Sequence, residues 1–386
     1  MTVTLAVALI VCAIWAYLLL GRGGFWRAAQ RDEAPVPAPE AGSWPSVTVV
    51  VPARNERETI GACVRSLLEQ RYAGRFFVIL VDDQSDDGTA QAARQASLDS
   101  GVAERLTVLA GAPLPNGWTG KLWALAQGIE YGQSQSPEYW LLTDADIVHG
   151  PQALARLVAR ARGYGLVLTS LMARLRCESI AERALIPAFV FFFQMLYPFA
   201  WVNRKDRRTA AAAGGCMLVS RGALQAAGGI AAVRGELIDD CALARRLKAC
   251  GPIWLGLTQG ARSLRRYDAL GDVRRLVSRT AYVQLRCSPL LLAATALALM
   301  LTFLAAPAVA IIGTGAARSA GIAAWMAMAL AFQPTLRFYR RSPLWGVALP
   351  AIAATYLLFT IDSAYQHWRG RGGLWKGRVQ SLRHTS

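Results

Sequence analysis

The chain has 386 residues, of which 54% are hydrophobic and 17% charged, with a formal net charge of +17. That composition excludes a disordered chain or a small disulfide-stapled domain, and it is too apolar for an ordinary soluble enzyme. Its seven cysteines stand singly, with no CxxC pair and no histidine at ligand spacing, which excludes a disulfide framework and a zinc site of recognisable spacing.

Residues 3–20 (VTLAVALIVCAIWAYLLL) carry no charge. No basic residue precedes them, no small-x-small cleavage site follows, and Arg22, Arg27 and Arg31 come directly after. The pattern predicts a retained transmembrane anchor over 1–21, with the N-terminus outside and the following chain in the cytoplasm. A Pro- and Ala-rich linker occupies 22–46. Strands then alternate with helices: VTVVVPA (47–53), a helix over 57–70, FFVILVDD (76–83), a helix over 89–98, RLTVLAG (105–111), GKLWALAQGIEYG (120–132) and YWLLTDAD (139–146). Alternation of this kind predicts an α/β domain over 47–262, with a mostly parallel sheet and helices on both faces.

In such sheets ligands bind beyond the carboxyl ends of the strands. Three of these strands end in RNE (54–56), DDQSDDGT (82–89) and DAD (144–146). Aspartates there often do no more than form turns, but carboxylates repeated along the ligand-binding edge predict a site. Asp144 and Asp146 suit a hard divalent ion, Mg²⁺ or Mn²⁺, that shares its shell with substrate phosphates. No GxGxxG follows the first strand and no GxxxxGK[ST] occurs, which disfavours dinucleotide oxidoreductases and P-loop NTPases. His149 reads as a solvated loop residue rather than a further ligand.

Together these residues resemble the family 2 glycosyltransferases of the GT-A fold. The resemblance runs over roughly 47–290 and rests on VVVPARNE (49–56), VDDQSDDGT (81–89), GKLWALAQG (120–128) and DAD. It implies a nucleotide-sugar donor, UDP- or GDP-linked, held by Pro52, Arg54, Glu56, Asp83, Lys121 and Asp144. It also implies a metal at Asp144 and Asp146. AAAGGCMLVSR (211–221) resembles the strand beside the acceptor site, and LIDDCALARRLKACG (237–251) the segment that supplies the general base, here Asp240. Its neighbour Asp239 reads as a helix cap. Processive members carry Q-x-x-R-W, where this chain has LVSRT (276–280). Arg279 alone survives as a candidate for the diphosphate, which weakens a polymer-synthase reading. Arg54 stands where an aromatic residue often stacks on the base. Within the family, GWTGKLWALAQG (117–128), LIDDCALARRLK and GRGGLWKGR (370–378) resemble the hopanoid-associated glycosyltransferases and, more distantly, ceramide glucosyltransferases.

Around that domain the sequence predicts an interfacial apolar segment over 185–202 and a basic amphipathic interface helix over 263–288. Transmembrane helices follow over 289–362, with spans at 289–313 and 344–361 and a borderline run at 319–334, and a basic tail over 363–386. Arg262, Arg265, Arg266, Arg274, Arg275, Arg279 and Arg286 precede the long span at 289, and part of that set reads as the solvated face of a helix resting on headgroups. The positive excess fits an anionic membrane surface, at about 1 kcal/mol per basic residue, better than nucleic acid. The expectation is therefore an integral membrane enzyme, in a bacterial inner membrane with its catalytic domain cytoplasmic, that glycosylates a membrane lipid. Two rivals are a processive polysaccharide synthase and a nucleotide-binding membrane protein without turnover. A phosphatase of the haloacid-dehalogenase type, whose nucleophile strand LLTDADIV resembles, leaves the first two motifs unexplained. Protein partners are not legible.

Overall fold

In a computed structural model, the described residues are 3–34, 36–37, 39–40, 42–372, 374–375 and 378–379. Of the basic tail, Lys376 and Arg383 lie outside them, as does part of GRGGLWKGR. The chain divides into two compact units. One comprises Gln30–Arg176, Trp201–Arg266 and Trp375–Ser386, the other Met1–Ala29, Cys177–Ala200 and Tyr267–Leu374.

The first unit is built on an eight-stranded sheet. Its strands are β1 (Val47–Ala53), β2 (Phe76–Asp82), β3 (Leu106–Ala110), β4 (Tyr139–Thr143), β5 (Ile147–His149), β6 (Leu168–Arg174), β7 (Cys216–Ser220) and β8 (Ile253–Ser263). Their order is β3-β2-β1-β4-β7-β6-β8-β5. The four strands β3-β2-β1-β4 are mutually parallel. Each is reached through a helix long enough for the crossover that parallel pairing requires, namely Arg57–Leu68, Thr89–Asp99 and Gly120–Gly132. Every residue of β1 is buried, as a strand covered on both faces must be. β7 runs antiparallel to β4 and β6, so the sheet is mixed. Only three residues separate β4 from β5, too few for a crossover, and β5 pairs antiparallel with β8.

The helix Gly120–Gly132 lies close on the sheet because two of its glycines face the strands. A Cβ on Gly128 would sit 2.4 Å from Val50 Cγ1, and one on Gly132 2.8 Å from Ile79 Cδ1. That close approach fixes the height of the helix N-terminus, where Lys121 stands. The expected basic helix over 263–288 is instead the end of β8, an extended stretch and two short helices, Leu270–Ser278 and Ala281–Gln284. The β8 ladder claims Ser263, and the basic spacing in the sequence does not reveal it.

In the second unit three helices are long and apolar enough to cross a membrane: Val3–Gly21, Pro289–Ile312 and Gly315–Phe338. The run at 319–334 is thus part of a full-length helix. The span expected over 344–361 begins as a 3₁₀ turn, Pro343–Gly346, and continues as a helix over Leu349–Trp368. There Asp362 accepts hydrogen bonds from Ser278 Oγ at 2.8 Å and Arg274 Nη1 at 3.2 Å. The segment expected to lie at the interface forms the helix Ile180–Leu196, started by a Ser179–Glu182 capping box. Its Phe191 is fully buried within this unit, stacked edge-on against Phe332 with centroids 5.1 Å apart. Its outer face is therefore covered by protein, not only by headgroups.

Candidate active site

The end of β4 and the N-terminus of Gly120–Gly132 meet at one ion-pair cluster. Thr119 caps that helix, its hydroxyl accepting the Leu122 N–H. Lys121, two residues on, places its Nζ 3.0 Å from Asp144 Oδ1 and 3.2 Å from Asp239 Oδ2. Burial opposes the lysine charge, but Asp144, Asp239 and Asp240 together hold its pKa well above the usual range. Asp239 is thus a site residue and not merely a helix cap.

Asp240 lies in the first turn of the helix Asp239–Cys250. Its two oxygens accept backbone N–H groups, Oδ2 from Gly214 at 2.9 Å and Oδ1 from Cys241 at 2.7 Å. Burial first, and then the charge of Asp239, push its carboxyl up to about 6 against the opposing pull of Lys121 and the two N–H groups. Gly214 packs tightly here, since a Cβ there would stand 3.1 Å from Lys121 Nζ and 3.4 Å from Asp240 Oδ2. A pocket walled by Pro52, Leu142, Met217 and Leu243 opens onto Lys121, Asp144, Asp239 and Asp240. Asp144 is also raised, by burial and by the nearby Asp146, while Lys121 pulls it down.

Asp146 faces a different cation. Its Oδ2 accepts Arg265 Nε at 2.9 Å and Ser263 Oγ at 3.1 Å, and Arg265 Nη2 donates to Glu56 Oε1 at 2.6 Å. Arg265, one of the arginines read in part as a headgroup-facing set, bridges two carboxylates of this unit. Asp83 is buried, and the Arg54 guanidinium donates to the backbone carbonyls of Asp83 and Gln84, with Nη1 3.9 Å from the Asp83 carboxylate. Arg54, Glu56, Asp83, Lys121, Asp144, Asp146 and Asp240 therefore all stand in the sheet-bearing unit. Arg279 closes the helix Leu270–Ser278 in the other unit.

His149 is not a solvated loop residue. It ends β5 and is buried, with Nε2 2.9 Å from the Thr143 hydroxyl, which itself donates to the Gly215 carbonyl. Burial lowers its pKa to about 4, so the ring is neutral at pH 7. A three-residue strand is too short to leave a pattern in the sequence.

The donor set fits a divalent cation completed by substrate. Among the described residues no cluster of three or more His, Cys, Asp or Glu side chains forms a protein cage. The hydrogen bonds found for Asp144 and Asp146 fall on Oδ1 and Oδ2 respectively, which leaves one oxygen of each for a ligand. Mg²⁺ or Mn²⁺ held by one or two carboxylates plus phosphate oxygens needs no more.

The parallel half-sheet with carboxylates at its edge, and the buried Asp240 beside a lysine, fit the GT-A fold. Residues 48–228 match the model for glycosyl transferase family 2. That stretch is similar to the family 2 glycosyltransferases. A stretch of 126 residues is 29% identical to 4,4'-diaponeurosporenoate glycosyltransferase of Staphylococcus haemolyticus (strain JCSC1435), covering 32% of this chain and 31% of that protein. The chain thus matches less than a third of the length of this curated relative. Among solved structures, mannosyltransferase PcManGT from Pyrobaculum calidifontis, in complex with GDP-Man and Mn²⁺, shares the fold. Its TM-score is 0.60 at 20% identity, over 95% of this chain and 99% of that one. Glucosyl-3-phosphoglycerate synthase of M. tuberculosis matches at a TM-score of 0.40 and 21% identity, over 64% and 82% of the two chains.

Proposed function

We propose that this protein is an inverting glycosyltransferase that moves a sugar from a UDP- or GDP-linked donor to a hydroxyl group of a membrane lipid. The observation that carries this reading is Asp240, a carboxylate held between two backbone N–H groups in the lining of the pocket shared with Lys121 and Asp144. As the acceptor oxygen attacks the anomeric carbon, Asp240 takes its proton. The new C–O bond forms on one face while the bond to the diphosphate breaks on the other, and the nucleoside diphosphate leaves with the electron pair. Lys121 provides positive charge beside that leaving group, and Asp83 with Arg54 forms the floor expected to take the base. When bound at Asp144 and Asp146, Mg²⁺ or Mn²⁺ neutralises the diphosphate. Arg279 is retained as a candidate diphosphate ligand on sequence grounds alone.

A lipid acceptor is supported by chain connectivity. The sheet-bearing unit begins at Gln30, with eight residues between it and the apolar helix that ends at Gly21, and its second segment ends at Arg266, before the apolar helix that begins at Pro289. The motifs quoted above favour a polycyclic or long-chain lipid of the hopanoid type, with the sheet-bearing unit in the cytoplasm of a bacterial inner membrane. The test is transfer of label from a panel of UDP- and GDP-sugars into lipid extract by membranes holding the protein, with Mn²⁺ or EDTA. One discrete labelled lipid, lost with EDTA, is expected. Long polymer would point to a processive synthase, and nucleotide binding without transfer from any donor would point to a binding protein.

A further inference from the structure

Asp146 and Glu56 are nearly buried carboxylates, with side-chain exposures of 9% and 11%. Two such charges beside each other repel unless a cation lies between them. Arg265 supplies it, and its fork meets both partners at once, Nε to Asp146 and Nη2 to Glu56. The backbone reinforces the arrangement. Leu264 N–H donates to the Asp146 carbonyl at 2.8 Å, Ser263 Oγ donates to Asp146 Oδ2, and Arg265 N–H donates to Ser263 Oγ at 3.2 Å. The segment 263–265 therefore wraps the second aspartate of the D-x-D and delivers a positive charge to it. Arg265 is itself 38% exposed, so its side chain has room to leave.

This bears on metal binding. A divalent ion approaching Asp146 meets a guanidinium already paired with that carboxylate, and like charges a few ångströms apart in a partly buried site repel strongly. A diphosphate changes the balance, because it offers oxygen ligands to the metal and a new anionic partner to Arg265. We propose that Arg265 is a built-in competitor of the divalent metal for Asp146, which makes metal binding depend on the donor diphosphate. The inference rests on the reading of Asp146 as a metal ligand. In the donor-free protein Arg265 neutralises Asp146 and Glu56. With the donor present it turns to the diphosphate and releases Asp146.

The test is Mn²⁺ binding to the full-length protein in detergent, followed by electron paramagnetic resonance of free Mn²⁺, with and without UDP or GDP. Wild type is expected to bind Mn²⁺ weakly alone and about tenfold or more tightly with nucleotide, within the usual range of coupling between sites. Arg265→Gln is expected to bind Mn²⁺ about tenfold more tightly than wild type without nucleotide, and to gain less when nucleotide is added. Arg265→Lys keeps the charge that neutralises the carboxylates but cannot bridge both. It preserves folding and is expected to fall between the two. If both variants bind Mn²⁺ no more tightly than wild type without nucleotide, while wild type binds it with nucleotide, the competition is refuted and the metal site stands. If no protein binds Mn²⁺ even with nucleotide, the metal assignment fails and the competition falls with it.

Discussion

Replacing Asp240 by Asn separates chemistry from folding at one position. The proton-accepting charge is lost, and general-base catalysis is worth roughly 10²–10⁴-fold, so kcat should fall by that factor. Stability should change far less, for two opposing reasons. Asp240 accepts N–H groups from Gly214 and Cys241. An amide offers one oxygen where the carboxylate offered two, so one of these bonds is lost, at about 1.5–3 kcal/mol for a bond to a charged acceptor. Against that, the carboxyl is raised from 3.8 to about 6 in the fold. A carboxylate pKa raised by folding is a cost to the native state that is absent below the unfolded value, grows as pH rises through the interval, and is complete above about 6. At one unit per 1.36 kcal/mol it amounts to about 3 kcal/mol at pH 7. Asn removes it, so the two effects nearly cancel. The assays are label transfer into lipid and thermal unfolding of the same preparation. An Asn variant that keeps more than a tenth of wild-type kcat with an unchanged melting temperature would refute the role given to Asp240.

The same carboxyl sets the pH dependence. Only the ionised form accepts a proton, so kcat should fall tenfold per unit as pH drops below about 6, measured by transfer rates between pH 5 and 8. Lys121→Met leaves Asp144 and Asp239 without their shared cation. It should raise the donor KM at least tenfold, as read by initial rates against donor concentration. Gly128→Ala drives a methyl into Val50, 2.4 Å away. It should cost about 1–3 kcal/mol, seen as a lowered melting temperature with the metal requirement intact. His149→Asn should likewise lower stability while leaving the Mn²⁺ dependence of the rate unchanged, because the ring is buried on Thr143.

The half of the sheet from β3 to β4 was legible because strands buried on both faces leave continuous apolar runs, and their crossover helices carry the 3.6-residue pattern between them. Asp144 is marked by its place at a strand's carboxyl end, whereas Lys121 and Asp240 are legible only through motif resemblance, since nothing in local periodicity draws residues 121, 144 and 240 together. Arg265 is not legible as a partner of the D-x-D for a related reason: it sits in ARSLRRY, among arginines read in part as a membrane-facing surface, and its partners Glu56 and Asp146 lie 209 and 119 residues away. Asp239 reads as a cap because caps and first-turn site residues share a composition; only the approach of Lys121 separates them. Among the membrane segments, 319–334 reads as borderline because alanine and a few polar residues dilute the apolarity of the helix Gly315–Phe338. Hydropathy gives no sign of the contacts that Asp362, just beyond the run at 344–361, makes with Arg274 and Ser278.

The most direct test of single displacement with Asp240 as base is the anomeric configuration of the product. The labelled glycolipid, purified from a reaction with the accepted donor, is assigned by proton coupling across C1–C2 of the transferred sugar. The account predicts inversion relative to the donor, in a product that Asp240→Asn does not form. Retention of the donor configuration would contradict it.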